Sequence, residues 1–268
     1  MRIIRALSVT TAILVSGSFA FAAPPIPVTT CGQVVKGSGQ LVADLDCSAN
    51  VGEAVHLTGT LLLNGFVLTG APTSDVVRCE TGACRVVGPG TVTGGADGVR
   101  SDGGARVEAG AIITGNTGDG VRTDKTAKVT GATVSANGGD GVRSKKAAVL
   151  NGANILDNSG DGVRTDLTAT VKASTVSGNG GNGIDSDTIA KAMKGSVVTG
   201  NGFDGIRGIR AQLHDSTATG NATDATCGIT DECADVASDL FPKVKGTSTC
   251  GTSRNPELGG TWGVCSND

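Results

Sequence analysis

The chain has 268 residues, with 22 Lys and Arg against 25 Asp and Glu, and it contains 43 Gly but only five Phe, one Trp and no Tyr. Its hydrophobic content of 38%, taken together with the glycines, is too high for an intrinsically disordered protein. The core must therefore be built from small and β-branched side chains. The net negative charge makes nucleic acid an unfavourable partner.

The first 22 residues have the organisation of a secretory signal peptide. A basic start with Arg2 and Arg5 precedes an apolar stretch at residues 6–15, and the small residues Ala20 and Ala22 come before the expected cleavage point. The apolar stretch is too short to cross a bilayer, and no later segment approaches a membrane span. We therefore expect a secreted, periplasmic or cell-surface protein with no membrane span after signal removal.

All eight cysteines follow this segment, and an even number in an exported protein favours disulfides. Proximity in the chain suggests four pairs: Cys31 with Cys47, Cys79 with Cys84, Cys227 with Cys233, and Cys250 with Cys265. A zinc site is the alternative interpretation. No C-x-x-C spacing occurs, and His56 and His214 do not have partners at ligand spacing.

A repeat of about 21 residues covers the chain between residues 96 and 221. The tetrapeptide D-G-V-R, or a close variant, begins at Asp97, Asp119, Asp140, Asp161, Asn182 and Asp204. A column of asparagines recurs in phase with it, at Asn116, Asn137, Asn158, Asn179, Asn201 and Asn221. Two columns in phase over six units indicate a repeat architecture.

Each unit contains three short alternating runs, such as residues 120–123, 127–129 and 133–135, which are typical of strands with valines facing inward. Three strands per unit predict one coil of a parallel β-solenoid, with equivalent residues stacked about 4.8 Å apart. The asparagines are expected to form amide ladders. The tetrapeptide glycines are expected to take a positive φ; they are Gly98, Gly120, Gly141, Gly162, Gly183 and Gly205.

The pattern G-N-x-G-D-G-V at residues 115–121 resembles the repeats of the pectate-lyase-like superfamily, and residues 61–70 are similar to the opening coil of its bacterial members. The resemblance implies an all-β fold, a right-handed parallel β-helix of three-strand coils. Because that superfamily includes lyases, hydrolases, epimerases and non-catalytic surface proteins, the fold by itself does not define an activity.

The repeat boundaries divide the chain into four segments. Residues 1–22 form the signal peptide, 23–60 an N-terminal cap and first coil, 61–221 the β-helix repeats, and 222–268 a Cys-rich C-terminal cap. Solenoids need covered ends because their terminal coils are exposed. The disulfides are expected to staple both caps, and Trp262 is expected to cover the last coil.

Charged residues two positions apart on the first strand of a unit share its outer face. Arg122 and Asp124, and likewise Arg164 and Asp166, therefore belong to adjacent Arg and Asp columns, which are expected to neutralise each other. Such a solvated ladder contributes little stability per pair. It explains most of the charged face without a functional role.

Consecutive units that break this pattern supply the candidate site, and its residues are Arg143, Lys145, Arg164, Asp166, Asp185 and Asp187. The three carboxylates are hard oxygen ligands of the kind that Ca²⁺ prefers. By the resemblance, they would hold the cation, while one of the three basic residues would act as the base of a β-elimination or would clamp a sugar carboxylate. Sequence variation between repeats, with no functional role, explains the same charged residues.

The leading expectation is an exported protein that binds an anionic polysaccharide or cell-surface glycan, with polysaccharide lyase activity as an extension. The alternative is a non-catalytic structural or adhesive surface protein. The lack of aromatic residues in the repeats other than Phe203 and the short loops count against an enzyme. Outward hydroxyl pairs such as Thr133 with Ser135 suggest a third option, an ice-binding face, which Asn154 and Leu156 interrupt.

Overall fold

The computed structural model describes residues 23–80, 82–223 and 233–266 of the protein, so the expected signal peptide lies outside the described residues. Every regular element in those ranges is a β-strand. The strands pair in parallel between successive coils, and one of the two sheets contains ten strands, one for each coil. The all-β parallel solenoid predicted from the repeat is therefore confirmed.

Each coil passes through three faces, which we name A, B and C in chain order. Face A consists of Val77–Cys79, Val99–Ser101, Val121–Thr123, Val142–Ser144, Val163–Thr165, Val236–Ser238 and Ser253–Arg254. Face B consists of Ile26–Val28, Cys84–Val87, Ala105–Glu108, Ala127–Thr130, Ala147–Asn151, Thr168–Lys172 and Lys243–Lys245. Face C consists of Leu45–Asp46, Val67–Thr69, Gly90–Thr93, Ala111–Thr114, Thr133–Ser135, Asn154–Leu156, Thr175–Ser177, Val197–Thr199, Thr217–Thr219 and Thr249–Cys250. Four longer strands run through faces A and B without a break: Gln33–Leu41, Val55–Leu62, Ile184–Met193 and Ile206–His214.

Alternation along each strand fills the interior with aliphatic side chains. On face B, Val107, Val129 and Leu150 lie in register on successive coils, and all three are fully buried. Val134 and Ile155 form the equivalent inward column of face C. Because aliphatic side chains of similar size stack closely on one another, the core needs no aromatic anchor.

The asparagine column is buried and forms the predicted ladder. The Nδ2 of Asn137 donates to the Oδ1 of Asn158 at 2.8 Å, and the other members repeat this contact. The first amide of the column accepts the N–H of Gly95 at 3.1 Å, and the last, Asn221, donates to the Oδ1 of Asp235 at 2.8 Å. The ladder therefore ties each coil to the next through buried hydrogen bonds.

The tetrapeptide glycines do not have positive φ values, so that prediction was wrong. A Cβ atom on Gly141 would lie 2.6 Å from the Cγ2 of Ile155 and 2.7 Å from the carbonyl oxygen of Gly162. Glycine is needed there because the corner packs tightly against the core and the next coil. The positive φ values occur one residue before each asparagine, at Gly115, Ala136, Asp157, Gly178, Gly200 and Gly220.

The structure contains three of the expected disulfides: Cys31–Cys47, Cys79–Cys84 and Cys250–Cys265. Cys233 is also disulfide-bonded, and its expected partner Cys227 lies outside the described residues. The first and last of the three bonds lie near the chain termini, where the caps were expected. The described ranges contain no helix with the length and hydropathy that a membrane crossing requires.

The segment expected to form the C-terminal cap adds strands to the solenoid as well. Val236–Ser238 and Lys243–Lys245 both pair in parallel with Ile206–His214. Trp262 donates its indole N–H to the carbonyl oxygen of Ser238 at 2.8 Å. Its ring also lies edge-on to that of Phe241, with 5.4 Å between the ring centroids. That Trp262 covers the last coil stays a prediction.

Candidate functional site

A column of arginines runs along the outside of face A. Arg122 lies in register with Arg143, and Arg143 with Arg164. Asp185 takes the next position, and Arg207 follows it. The alignment that the repeat predicted is therefore confirmed. Like charges at a spacing of about 4.8 Å need compensation nearby.

Much of that compensation comes from the residues that open each tetrapeptide. These residues are at most 8% exposed, and they are Asp97, Asp119, Asp140, Asp161, Asn182 and Asp204. The Oδ1 of Asp119 accepts the backbone N–H of Asp140 at 2.8 Å, and Asp140 in turn accepts the N–H of Asp161 at 2.8 Å. The second oxygen faces the arginine three residues later, as in the 3.9 Å contact between Asp119 and Arg122. We name this set the buried aspartate column.

Burial raises the pKa of Asp119 and that of Asp161 to about 6. Desolvation is the largest cause in both, and the charge of Asp140 on the adjacent coil adds to it. The buried Oδ2 of Asp119 has no hydrogen-bond partner among the described residues. The charged form is therefore poorly solvated, and these carboxyls hold protons at a higher pH than ordinary aspartates.

The predicted neutralisation between the arginine and aspartate columns occurs where Arg78 contacts Asp102 on the next coil at 2.8 Å, but it does not occur within a strand. Neither Arg122 nor Arg164 pairs with the aspartate two residues later on its own strand; Asp124 instead contacts Lys145 on the next coil at 3.0 Å. Arg164 pairs with Asp161 at 3.7 Å. Adjacent coils are about 4.8 Å apart, whereas residues two apart along a strand are separated by about 6.6 Å, so contacts between coils are shorter.

A cleft of about 960 Å³ opens on face A near the C-terminal end of the solenoid. It lies between the coils that contain Asn182 and Asp204 and the C-terminal segment that contains Arg254. In this region the pairing of Ile184–Met193 with Ile206–His214 shifts its register. The cleft therefore occurs where the repeat is least regular.

Both signs of charge line the cleft, and its charged residues are Asp161, Arg164, Asp185, Asp187, Asp204, Arg207, Asp239 and Arg254. The Nη2 of Arg254 lies 3.0 Å from the Oδ2 of the buried Asp204. Arg207 is exposed, and it forms no ion pair with the residues that the structure describes. Phe203 and Ile209 add apolar surface. The cleft lining thus includes one aromatic ring and one exposed guanidinium that has no ion pair among the described residues.

Asp185 lies between Arg164 and Arg207 in the face A column. Burial raises its pKa, while the two arginines oppose that shift. A guanidinium binds carboxylates in a planar, two-bonded geometry, and a carboxyl with a raised pKa keeps its proton to a higher pH than an ordinary aspartate does. This set of groups could therefore recognise a sugar acid and move a proton beside it.

The structure brings together half of the predicted site residues. Arg164, Asp185 and Asp187 line the cleft, whereas the other three lie outside its lining: Arg143, Lys145 and Asp166. The described residues include no group of three or more His, Cys, Asp or Glu side chains that could hold a metal ion. The three carboxylates therefore do not form a calcium cage as placed, and we derive no step through calcium. Calcium dependence stays a prediction.

Several charged residues of this cleft were not among the predicted site residues. The signal for Asp161 and Asp204 was present in the tetrapeptide, whose first residue served there only as a marker of the period. Arg207 also belongs to a tetrapeptide and could have been found from it. Arg254 lies beyond the periodic region, and no pattern in the sequence indicated that it would reach Asp204.

A comparison with protein-family models finds no match, and comparisons with curated proteins and with solved structures find none either. The fold itself defines the class of protein: an all-β parallel β-solenoid with disulfides near its termini. Those disulfides indicate an oxidising, extracellular environment. Membership of the pectate-lyase-like superfamily stays a prediction.

Proposed function

We propose that the protein is exported and binds an anionic polysaccharide in the cleft on face A. The observation that supports this most directly is Arg207, an exposed guanidinium in the cleft with no ion pair among the described residues. The volume of about 960 Å³ falls within the range of ligand sites, roughly 300–1,000 Å³. The ligand class that fits is a chain of sugar acids.

In this proposal, Arg207 binds the carboxylate of one uronate through two parallel hydrogen bonds. Phe203, which also lines the cleft, offers a ring on which the apolar side of a sugar can lie. Asp185 separates this arginine from Arg164 in the column. A second sugar carboxylate on the Arg164 side would therefore be spaced from the first by the protein's own carboxyl group.

Cleavage of the bound chain by β-elimination is the narrower part of the proposal. A base removes the proton next to the uronate carboxylate, the glycosidic carbon–oxygen bond breaks, and the departing oxygen gains a proton, leaving a double bond in the sugar. Of the three predicted bases, Arg164 lines the cleft. Asp185, whose pKa is raised by burial, can supply the proton to the departing oxygen.

The binding proposal is tested with Arg207→Gln and a purified tetrauronate, by titration calorimetry. We expect at least a tenfold weaker Kd, because a hydrogen bond to a charged group is worth about 1.5–3 kcal/mol. Arg210→Gln is the matched control, since Arg210 is exposed but does not line the cleft. Equal binding by both variants and the wild type would contradict the proposal.

Cleavage is tested separately by the ultraviolet absorbance of the unsaturated product, with added Ca²⁺ and with EDTA. Product that disappears in Arg164→Gln supports elimination, and product that disappears in EDTA supports the calcium prediction. An unchanged melting curve in EDTA would contradict a structural calcium site.

A specific observation favours the alternative, a non-catalytic structural or adhesive protein. Several arginines of face A are engaged internally, as in the contacts of Arg164 with Asp161 and of Arg254 with Asp204. Charges used in this way stabilise the solenoid without a ligand. Wild-type protein that neither binds the tetrauronate nor forms product would favour this function.

A further inference from the structure

Two columns of side chains point outward from face B, as the pairing registers define them. The first contains Arg85, Arg106, Lys128, Val149, Thr170, Lys191, Gln212 and Lys243. The second contains Val87, Glu108, Thr130, Asn151, Lys172, Met193, His214 and Lys245. Seven of these sixteen residues are Lys or Arg, and one is acidic.

The positive charge of face B is largely uncompensated. Its acidic residue, Glu108, lies 2.6 Å from Arg85 and neutralises that one guanidinium. The other six basic residues form no ion pair with the residues that the structure describes. Asp215, at the turn that follows Ile206–His214, faces His214 at 3.3 Å and the N–H of Thr247 at 3.0 Å.

Face A provides the contrast within the same molecule. Its arginines lie beside the buried aspartate column, and Lys145 pairs with Asp124. The whole chain carries a net charge of −3, so the basic residues of face B are segregated on an otherwise acidic protein. Segregation of this kind concentrates a positive potential over one surface and attracts polyanions.

We propose that face B is a docking surface for a linear anionic polysaccharide that lies along the solenoid axis. The proposal rests on the proposed function only for the class of partner, and it places that partner on a second surface away from the cleft. From Arg85 to Lys243 the first column extends over about 34 Å, at about 4.8 Å for each coil. A chain with regularly spaced carboxylates or sulfates can contact several of these cations at once.

Nucleic acid is the competing polyanion, and the composition of face B disfavours it. Neither outward column contains Phe, Trp or Tyr. Single-stranded nucleic acids gain much of their affinity by stacking bases on aromatic side chains. An anionic glycan can bind through the row of basic side chains alone, without aromatic stacking.

The test compares two triple variants that remove the same charge. Lys128→Gln, Lys191→Gln and Lys243→Gln change face B, and Gln is compatible with the column because Gln212 already occupies it. The control combines Lys36→Gln, Lys125→Gln and Lys146→Gln, three exposed lysines outside the two columns and outside the candidate site. Affinity is measured for alginate as the carboxylated polymer, heparin as the sulfated polymer, and single-stranded DNA of similar length.

We expect the face B variant to bind the glycans at least tenfold more weakly than wild type at 50 mM NaCl, and the control to stay within threefold. Wild-type affinity should fall steeply between 50 and 200 mM NaCl. Preference for alginate or for heparin identifies the anionic group. An unaffected face B variant, equal losses in both triples, or tighter binding of DNA than of either glycan would overturn the proposal.

This experiment separates the docking surface from the cleft. If polymer binding depends on face B while the tetrauronate binds wild type and Arg207→Gln equally, the docking surface is supported and the cleft function fails. If the tetrauronate depends on Arg207 while the face B variant binds polymer like wild type, the docking surface is overturned and the cleft function is supported.

Discussion

The buried aspartates are the residues in which sequence, stability and charge are most closely connected. Each one carries a backbone hydrogen bond to the following coil and faces an arginine at the surface. Burial raises the pKa of Asp119 to about 6. One member of the column is the neutral Asn182, whose Oδ1 accepts the N–H of Asp204 at 3.0 Å. The column therefore needs the acceptor oxygen more than it needs the charge.

Stability should consequently depend on pH in a defined direction. Because the folded pKa of Asp119 is raised above its ordinary value, the contribution of this group is largest below about pH 4 and is lost as the pH rises through 6. Asp119→Asn keeps the acceptor and removes the titration. We expect it to raise the unfolding free energy at pH 7.5 by about 1–3 kcal/mol, with a smaller gain at pH 4.5.

The measurement is urea denaturation at both pH values. Asp124→Asn is the control, since Asp124 lies on the same coil but pairs with Lys145 at the surface. The explanation is incorrect if Asp119→Asn has the same stability difference between pH 4.5 and 7.5 as the wild type.

At the scale of the element, the coil was predictable because its period sets which residues stack. The three runs read from residues 120–135 correspond to the strands Val121–Thr123, Ala127–Thr130 and Thr133–Ser135. The glycine role and the ion-pair partners were not predictable in the same way, since both depend on distances between coils. Gly141 is required by its approach to Ile155, which lies 14 residues later in the chain.

The amide ladder gives each coil a measurable share of stability. Asn158 accepts from the Nδ2 of Asn137 at 2.8 Å and donates to Asn179 at 2.9 Å, and its side chain is buried. Asn158→Ala leaves these partners unsatisfied. We expect the free energy of unfolding, measured by thermal and urea denaturation, to fall by about 2–4 kcal/mol relative to the wild type.

Asn154→Ala provides the control, because Asn154 is exposed on face C and should change stability by less than about 0.5 kcal/mol. Equal effects of the two substitutions would show that the ladder contributes no more than a surface amide.

The cleft, in contrast to the ladder, could be predicted only in part from the sequence. It depends on a register shift and on Arg254, which lie outside the regular pattern.

At the scale of the whole molecule, each coil contacts mainly its two neighbours, so the ends are the least supported parts. The Cys250–Cys265 disulfide closes a loop with a sequence separation of 15. Removal of this disulfide in the double variant Cys250→Ser, Cys265→Ser should lower the free energy of unfolding by about 3 kcal/mol, because the unfolded chain gains loop entropy. The loss should be concentrated in the last coils.

Native-state hydrogen exchange provides the measurement for this prediction. Protection should fall in the strands after Ile206–His214 and stay unchanged in the central coils, around Val142–Ser144. The matching change at the other end, Cys31→Ser with Cys47→Ser, should affect the first coils instead. A uniform loss of protection along the chain in either variant would contradict the prediction that each disulfide stabilises only the coils near it.

The hydrogen bonds of the asparagine ladder all run in one direction along the solenoid, and the ladder ends at a carboxylate. Each asparagine accepts a hydrogen bond from the coil before it and donates one to the coil after it. The last, Asn221, donates to Asp235, whose carboxylate has no N–H with which to continue the ladder. The other oxygen of Asp235 accepts the backbone N–H of Thr252 at 3.0 Å, so the column meets the chain's own C-terminal segment. Covering an end with the same chain is one way in which β-proteins prevent pairing between exposed strand edges.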